Sequence, residues 1–149
     1  MSDEAPSLIA IDADDYHARH IGHTADGRQF FLTTPFEPAS SGRAGCEYVA
    51  LYTFDKKGRL LKSFIESFGP RATAKTEAIA ARYDALLISL GNITFDRIEV
   101  SPFKVKRFET EFGLILRKPE KEGDAWAVEV QPGNYMAFFE PWDSGEYDT

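Results

Sequence analysis

At 149 residues the chain has the length of one domain, and a chain of that size buries roughly two thirds of the surface its unfolded form exposes. Hydrophobic residues make up 43% of it, enough apolar surface to offset the entropy of ordering the backbone, which excludes wholesale disorder. The single cysteine, Cys46, excludes an internal disulfide, and a formal net charge of −7 argues against nucleic acid as a ligand.

The charge is unevenly spread. Residues 1–15 hold five acids (Asp3, Glu4, Asp12, Asp14, Asp15) and residues 140–149 hold four (Glu140, Asp143, Glu146, Asp148), neither with a base, whereas the stretch between carries 15 acids against 17 bases. Residues 1–15 read as a flexible acidic lead-in to a single domain over 1–149. The opening Met1-Ser2-Asp3-Glu4-Ala5-Pro6 lacks the basic stretch and apolar core of a secretion signal, and no apolar run approaches the ~20 residues that span a bilayer. With one reduced thiol, this predicts a cytoplasmic protein with no membrane partner.

The three histidines fall next in chain order, as His17-x-x-His20-x-x-His23. In a helix each step of three residues turns about 300°, so the third ring drifts from the first, and in a strand His20 faces away from the other two. Only a bent loop would converge them, so no metal site is expected, and the segment reads as weakly structured.

Ala25-Asp26-Gly27 is a turn signal that opens a strand over 28–36, followed by an irregular loop through Pro38 and Gly42-Arg43-Ala44-Gly45. The GxxG spelling is that of RNA-binding KH loops, which sit between helices, whereas the flanks here read as strands. In the next strand, 47–54, Val49 and Leu51 face opposite Tyr48, Ala50, Tyr52 and Phe54; a strand apolar on both sides belongs in the middle of a sheet. Cys46 enters this strand as a small apolar residue, with no base suggested beside it. Asp55-Lys56-Lys57-Gly58 turns the chain into a partner strand over 59–66.

One helix is expected, about 73–90, with Thr73 as N-cap, Glu77 near its positive end and Gly91-Asn92 as the stop. Ile79, Tyr83, Leu86, Leu87 and Leu90 recur at helical spacing, the face to pack on a sheet. Further strands follow near 95–100, 104–108, 112–117, 126–130 and 135–139. The order predicts an α+β fold: a largely antiparallel sheet of about six to seven strands with one main helix packed on it.

Sites of chemistry are sparse. Dinucleotide, nucleotide-phosphate, zinc-protease and serine-hydrolase motifs are missing, so no catalytic residue and no cofactor is assigned. Glu109 and Glu111 are an imaginable carboxylate pair, but acids are common on any surface. Lys56, Lys57, Arg59 and Lys62, and again Lys104, Lys106 and Arg107, read as solvated turn and edge residues that discourage sheet aggregation. The last ten residues are different: Glu140, Trp142, Asp143, Glu146, Tyr147 and Asp148 combine aromatic anchors with acids, the composition of a surface that binds a basic protein partner. Partial folding back of this acidic aromatic tail is expected, because Trp142 is costly to expose.

Three segments together, Ile21 to Phe31, Tyr52 to Leu60 and Glu140 to Thr149, resemble a family of small bacterial proteins, the formate hydrogenlyase regulatory proteins of the HycA type. The similarity runs through nearly the whole chain in order, and the ending is its most specific part. It implies a cytoplasmic regulatory protein that acts by contact, and it carries over no catalytic residue. Size and acidity without a catalytic constellation also fit immunity proteins, which neutralise a toxin by covering its active surface. The expectation is therefore a non-enzymatic protein-binding domain, an immunity- or antitoxin-like inhibitor of a basic partner. The alternatives are a regulator of a metabolic system of the formate hydrogenlyase type and a small-molecule sensor or enzyme. Whether the chain forms a homodimer is left open.

Overall fold

The computed structural model describes residues 6–13, 19–40, 42, 44–133, 136–139, 142 and 145–147, the last three as backbone only. The strands that sequence patterning counts into one sheet are distributed over three antiparallel sheets, and one helix covers the largest of them.

At the centre of the larger sheet is β5 (Cys46–Phe54), where the predicted two-sided strand is found. Its Tyr48, Ala50, Tyr52 and Phe54 side chains enter a core between sheets, and Val49 and Leu51 enter a second core under the helix. β6 (Leu60–Ser67) pairs along one edge of β5, with Leu61 bulged out where the register shifts. β3 (Gln29–Thr33) and the short β4 (Phe36–Glu37) share the other edge. Phe31 of β3 points between the sheets while Phe30 and Leu32 point at the helix, so alternation over one strand feeds both cores. The hairpin between β5 and β6 forms as expected: Gly58 sits at φ 89°, and the Asp55 carboxylate accepts from the Lys57 and Arg59 amides at 2.9 Å each.

The segment holding the histidines is not weakly structured at its described end. β2 (His20–Thr24) pairs with β3 and, on its other side, with β7 (Ile93–Phe95). Gly22 permits that approach, since a Cβ there would lie 1.9 Å from the Thr94 carbonyl oxygen. The lead-in likewise contains β1 (Ile9–Ile11), all three residues buried. Three apolar residues among acids are too few for a periodic signal, and long-range pairing places them. Their partner is β8 (Ile98–Val100), so the run expected as one strand over 95–100 divides between two sheets. The Asp96 amide still donates to the Ile21 carbonyl at 3.2 Å, in register with the β2–β7 pairing, and the chain changes sheets after it.

The helix α1 (Thr76–Ser89) is shorter than expected at its start, and Thr73 does not cap it. The cap position is Lys75 without a side-chain bond; the Thr73 hydroxyl and amide both turn back to the Pro70 carbonyl, at 3.4 and 3.0 Å. Gly91, at φ 76°, ends the helix as predicted, its amide reaching the Ile88 carbonyl at 3.1 Å. Ile79, Tyr83, Leu86, Leu87 and Leu90 all pack on Phe30, Leu32, Val49 and Leu51.

The remaining strands form a meander: β9 (Phe103–Arg107), β10 (Thr110–Arg117), β11 (Ala127–Gln131), β12 (Met136–Phe138) and β13 (Gly145–Tyr147). Phe112, Leu114, Val128, Val130, Met136 and Phe138 face the inner residues of β3 and β5 across the main core. The layers are thus helix, larger sheet and smaller sheet, with the β1–β8 pair attached to the same core.

Candidate partner-binding surface

The final segment folds back further than its composition suggests. It becomes β13, the edge strand of the smaller sheet, with Met136 opposite Tyr147, Ala137 opposite Glu146 and Phe138 opposite Gly145. Trp142 stands at the bend that makes this return. Its φ of 68° is in the left-handed region, its amide donates to the Phe139 carbonyl at 2.7 Å, and its half-buried ring packs against the main core. The Trp142 carbonyl in turn accepts the Ala10 amide of β1 at 2.9 Å. That bond links β1 to the bend that precedes β13. Of the six residues assigned to a partner surface, Trp142 and the Glu146 and Tyr147 backbones are located by these contacts; Glu140, Asp143 and Asp148 lie outside the described residues. Among the N-terminal acids, Asp12 forms an exposed ion pair with Arg97 at 3.1 Å, an interaction of little energetic weight.

The other candidates separate. His20 and His23 take opposite sides of β2, and His17 lies outside the described residues. The His23 Nδ1 meets the Asp96 carboxylate, whereas the His20 Nδ1 meets the Tyr83 hydroxyl, which also reaches the Leu32 carbonyl at 3.4 Å. The His20 ring packs edge-on to Tyr83 and Phe95. Burial, with Arg19 nearby, lowers the His20 pKa, and burial pushes the Tyr83 hydroxyl up to about 12, so this pair is a neutral strut between β2 and α1. No group of three His, Cys, Asp or Glu residues is placed to hold a metal ion among the described residues.

Cys46 is half-buried at the start of β5, its Sγ 3.1 Å from the Ser67 hydroxyl. Beside it lies a polar network that sequence patterning does not reveal. The Tyr48 hydroxyl donates to the Glu37 carboxylate at 2.8 Å, and the Thr110 hydroxyl donates to the same oxygen. Burial, then Cys46 and Glu37, hold the Tyr48 hydroxyl protonated far above its ordinary range. Over Tyr48 stacks Phe108, which with Glu109 makes the two-residue turn between β9 and β10 at φ 51° and 61°. Hence Glu109 is a turn residue and Glu111 is paired with Lys104 at 3.3 Å, which removes the motive for reading them as an acid pair. The Gly42 to Gly45 loop connects β4 and β5 rather than helices. The basic residues also divide: Arg59 binds Asp55 and Lys104 binds Glu111, while Lys62 stands on the helix side of β6.

No protein-family profile, curated protein or solved structure matches this chain. No helix among the described residues is long and apolar enough to cross a membrane. The assignment of function therefore depends on the residues themselves.

Proposed function

We propose that this chain is a non-enzymatic protein-binding domain of the cytoplasm, an immunity- or antitoxin-like inhibitor that covers a basic surface of its partner. The observation that carries the reading is the hydrogen bond from the Ala10 amide to the Trp142 carbonyl. Acids flank both Ala10 and Trp142 in the sequence, five within residues 1–15 and four within 140–149, and on this reading they act together on the partner. Complementary charge mainly accelerates encounter, raising association rates by one or more powers of ten at low salt, and aromatic contacts slow dissociation. Trp142 supplies an anchor already ordered by the fold, which lowers the entropic cost of docking.

The test is capture of partners on the tagged chain from cytosol at low and moderate salt, identification by mass spectrometry, and kinetics with the partner obtained. The expected result is a stoichiometric basic protein whose association rate falls about tenfold or more when Glu140, Asp143, Glu146 and Asp148 become Gln or Asn. A rate that is unchanged by those substitutions and by salt removes the steering mechanism. The resemblance to HycA-type regulators supports action by contact as well, and a partner from a formate-metabolising complex in the same capture would favour that regulatory role over inhibition of a toxin.

A further inference from the structure

A groove of about 270 Å3 opens between the C-terminal half of α1 and the larger sheet, away from the junction of the chain ends. Its interior is apolar. Leu51 of β5 and Phe64 of β6 are register partners on the floor, and Leu86 and Leu90, one helical turn apart, form the roof. Two residues further along the same strands the lining becomes polar: Thr53 is the register partner of Lys62, and Arg28, just before β3, completes this mouth with Ser89 opposite. Alternation places Thr53 and Lys62 on the same helix-facing side as Leu51 and Phe64, so apolar body and cationic mouth belong to one continuous groove.

The charges at the mouth specify the ligand further. Lys62 has no carboxylate partner among the described residues. Arg28 meets Asp26 through Nε, at 2.9 and 3.0 Å to the two carboxylate oxygens. Asp26 remains ionised at neutral pH, because its bonds from Thr24 and Arg28 hold it at about 2. Two cations and one fixed anion leave a single net positive charge, which suits a monoanion and disfavours a phosphate dianion. At roughly 30 Å3 per heavy atom the space accommodates about nine atoms.

We propose that this groove binds a small amphipathic monocarboxylate, its alkyl or aryl body between Leu51, Phe64, Leu86 and Leu90 and its carboxylate between Lys62 and Arg28. Such pockets typically combine an apolar lining with a few polar groups that fix orientation. The site is separate from the proposed protein-binding surface, and neither reading depends on the other.

Sodium octanoate titrated into the 15N-labelled full chain tests this, with 1-octanol as the neutral control of the same length. The expected result is saturable shifts at Leu51, Thr53, Lys62, Leu86 and Leu90 with a Kd of about 0.1–1 mM, as ordinary ligand efficiencies give for ten heavy atoms. Lys62→Met, an exposed substitution, should weaken octanoate about tenfold and leave octanol binding unchanged. Absence of saturation by about 10 mM octanoate, shifts scattered over the surface, or equal octanoate affinity in Lys62→Met overturns the proposal.

Discussion

Gln29 is the residue whose replacement best tests how the sheets are joined. It is 4% exposed and extends from β3 to the backbone of β8. Its Nε2 donates to the Glu99 carbonyl at 2.9 Å and to the Asp55 carbonyl at 3.2 Å, and its Oε1 accepts the Glu99 amide at 2.7 Å. Ala10, the register partner of Glu99, sends its own amide away to Trp142, so this is a non-hydrogen-bonded position of the β1–β8 pair. The Glu99 backbone therefore faces Gln29, and the side-chain amide completes the ladder in place of a neighbouring strand. Gln29→Leu keeps the volume and removes these bonds, leaving the Glu99 amide and carbonyl without partners. At about 1–3 kcal/mol for each orphaned buried group, less the gain from burying an apolar side chain, the expected loss is about 2–4 kcal/mol. Urea unfolding followed by circular dichroism measures it, and amide exchange at Glu99 should accelerate in parallel. A variant within about 0.5 kcal/mol of the parent, with Glu99 still protected, would refute the argument that this side chain acts as a surrogate strand.

Three further outcomes are expected. Gly22→Ala puts a methyl group 1.9 Å from the Thr94 carbonyl oxygen, so β7 must separate from β2; a loss of about 2 kcal/mol or more should appear in thermal unfolding, with exchange at Thr94 and Phe95 rising first. Glu109→Gly relieves a left-handed non-glycine residue at φ 61° and should stabilise the protein by about 1 kcal/mol in urea unfolding, because two-residue hairpin turns favour Gly at that position. The Asp26 carboxyl is held at about 2, chiefly by the Thr24 hydroxyl and then by Arg28. Its folded pKa lies below the ordinary value of 3.8, so the stabilisation is complete above about pH 4 and is lost as pH falls toward 2. The difference in urea midpoint between the parent and Asp26→Asn should accordingly be constant near neutrality and shrink through that acid window.

Sequence patterning by itself determined those elements whose evidence is local. β5 announces itself by apolar residues on both faces, α1 by five apolar positions at helical spacing, and the Asp55 to Gly58 turn by a carboxylate and a glycine at the right places. From these the α+β class with antiparallel pairing follows, because each signal depends only on residues a few positions apart. The tertiary structure alone decided how the strands divide among sheets. β1 is three residues long, β8 follows β7 closely yet pairs with β1 instead of β2, and Thr73 loses its capping role to the Pro70 turn. In each case hydrogen bonds from distant or competing backbone outweigh local preference. The same holds for the chain ends. Their acids and aromatics are visible in the sequence, but the meeting of Ala10 with Trp142 is one backbone bond across 132 positions, which no local periodicity encodes.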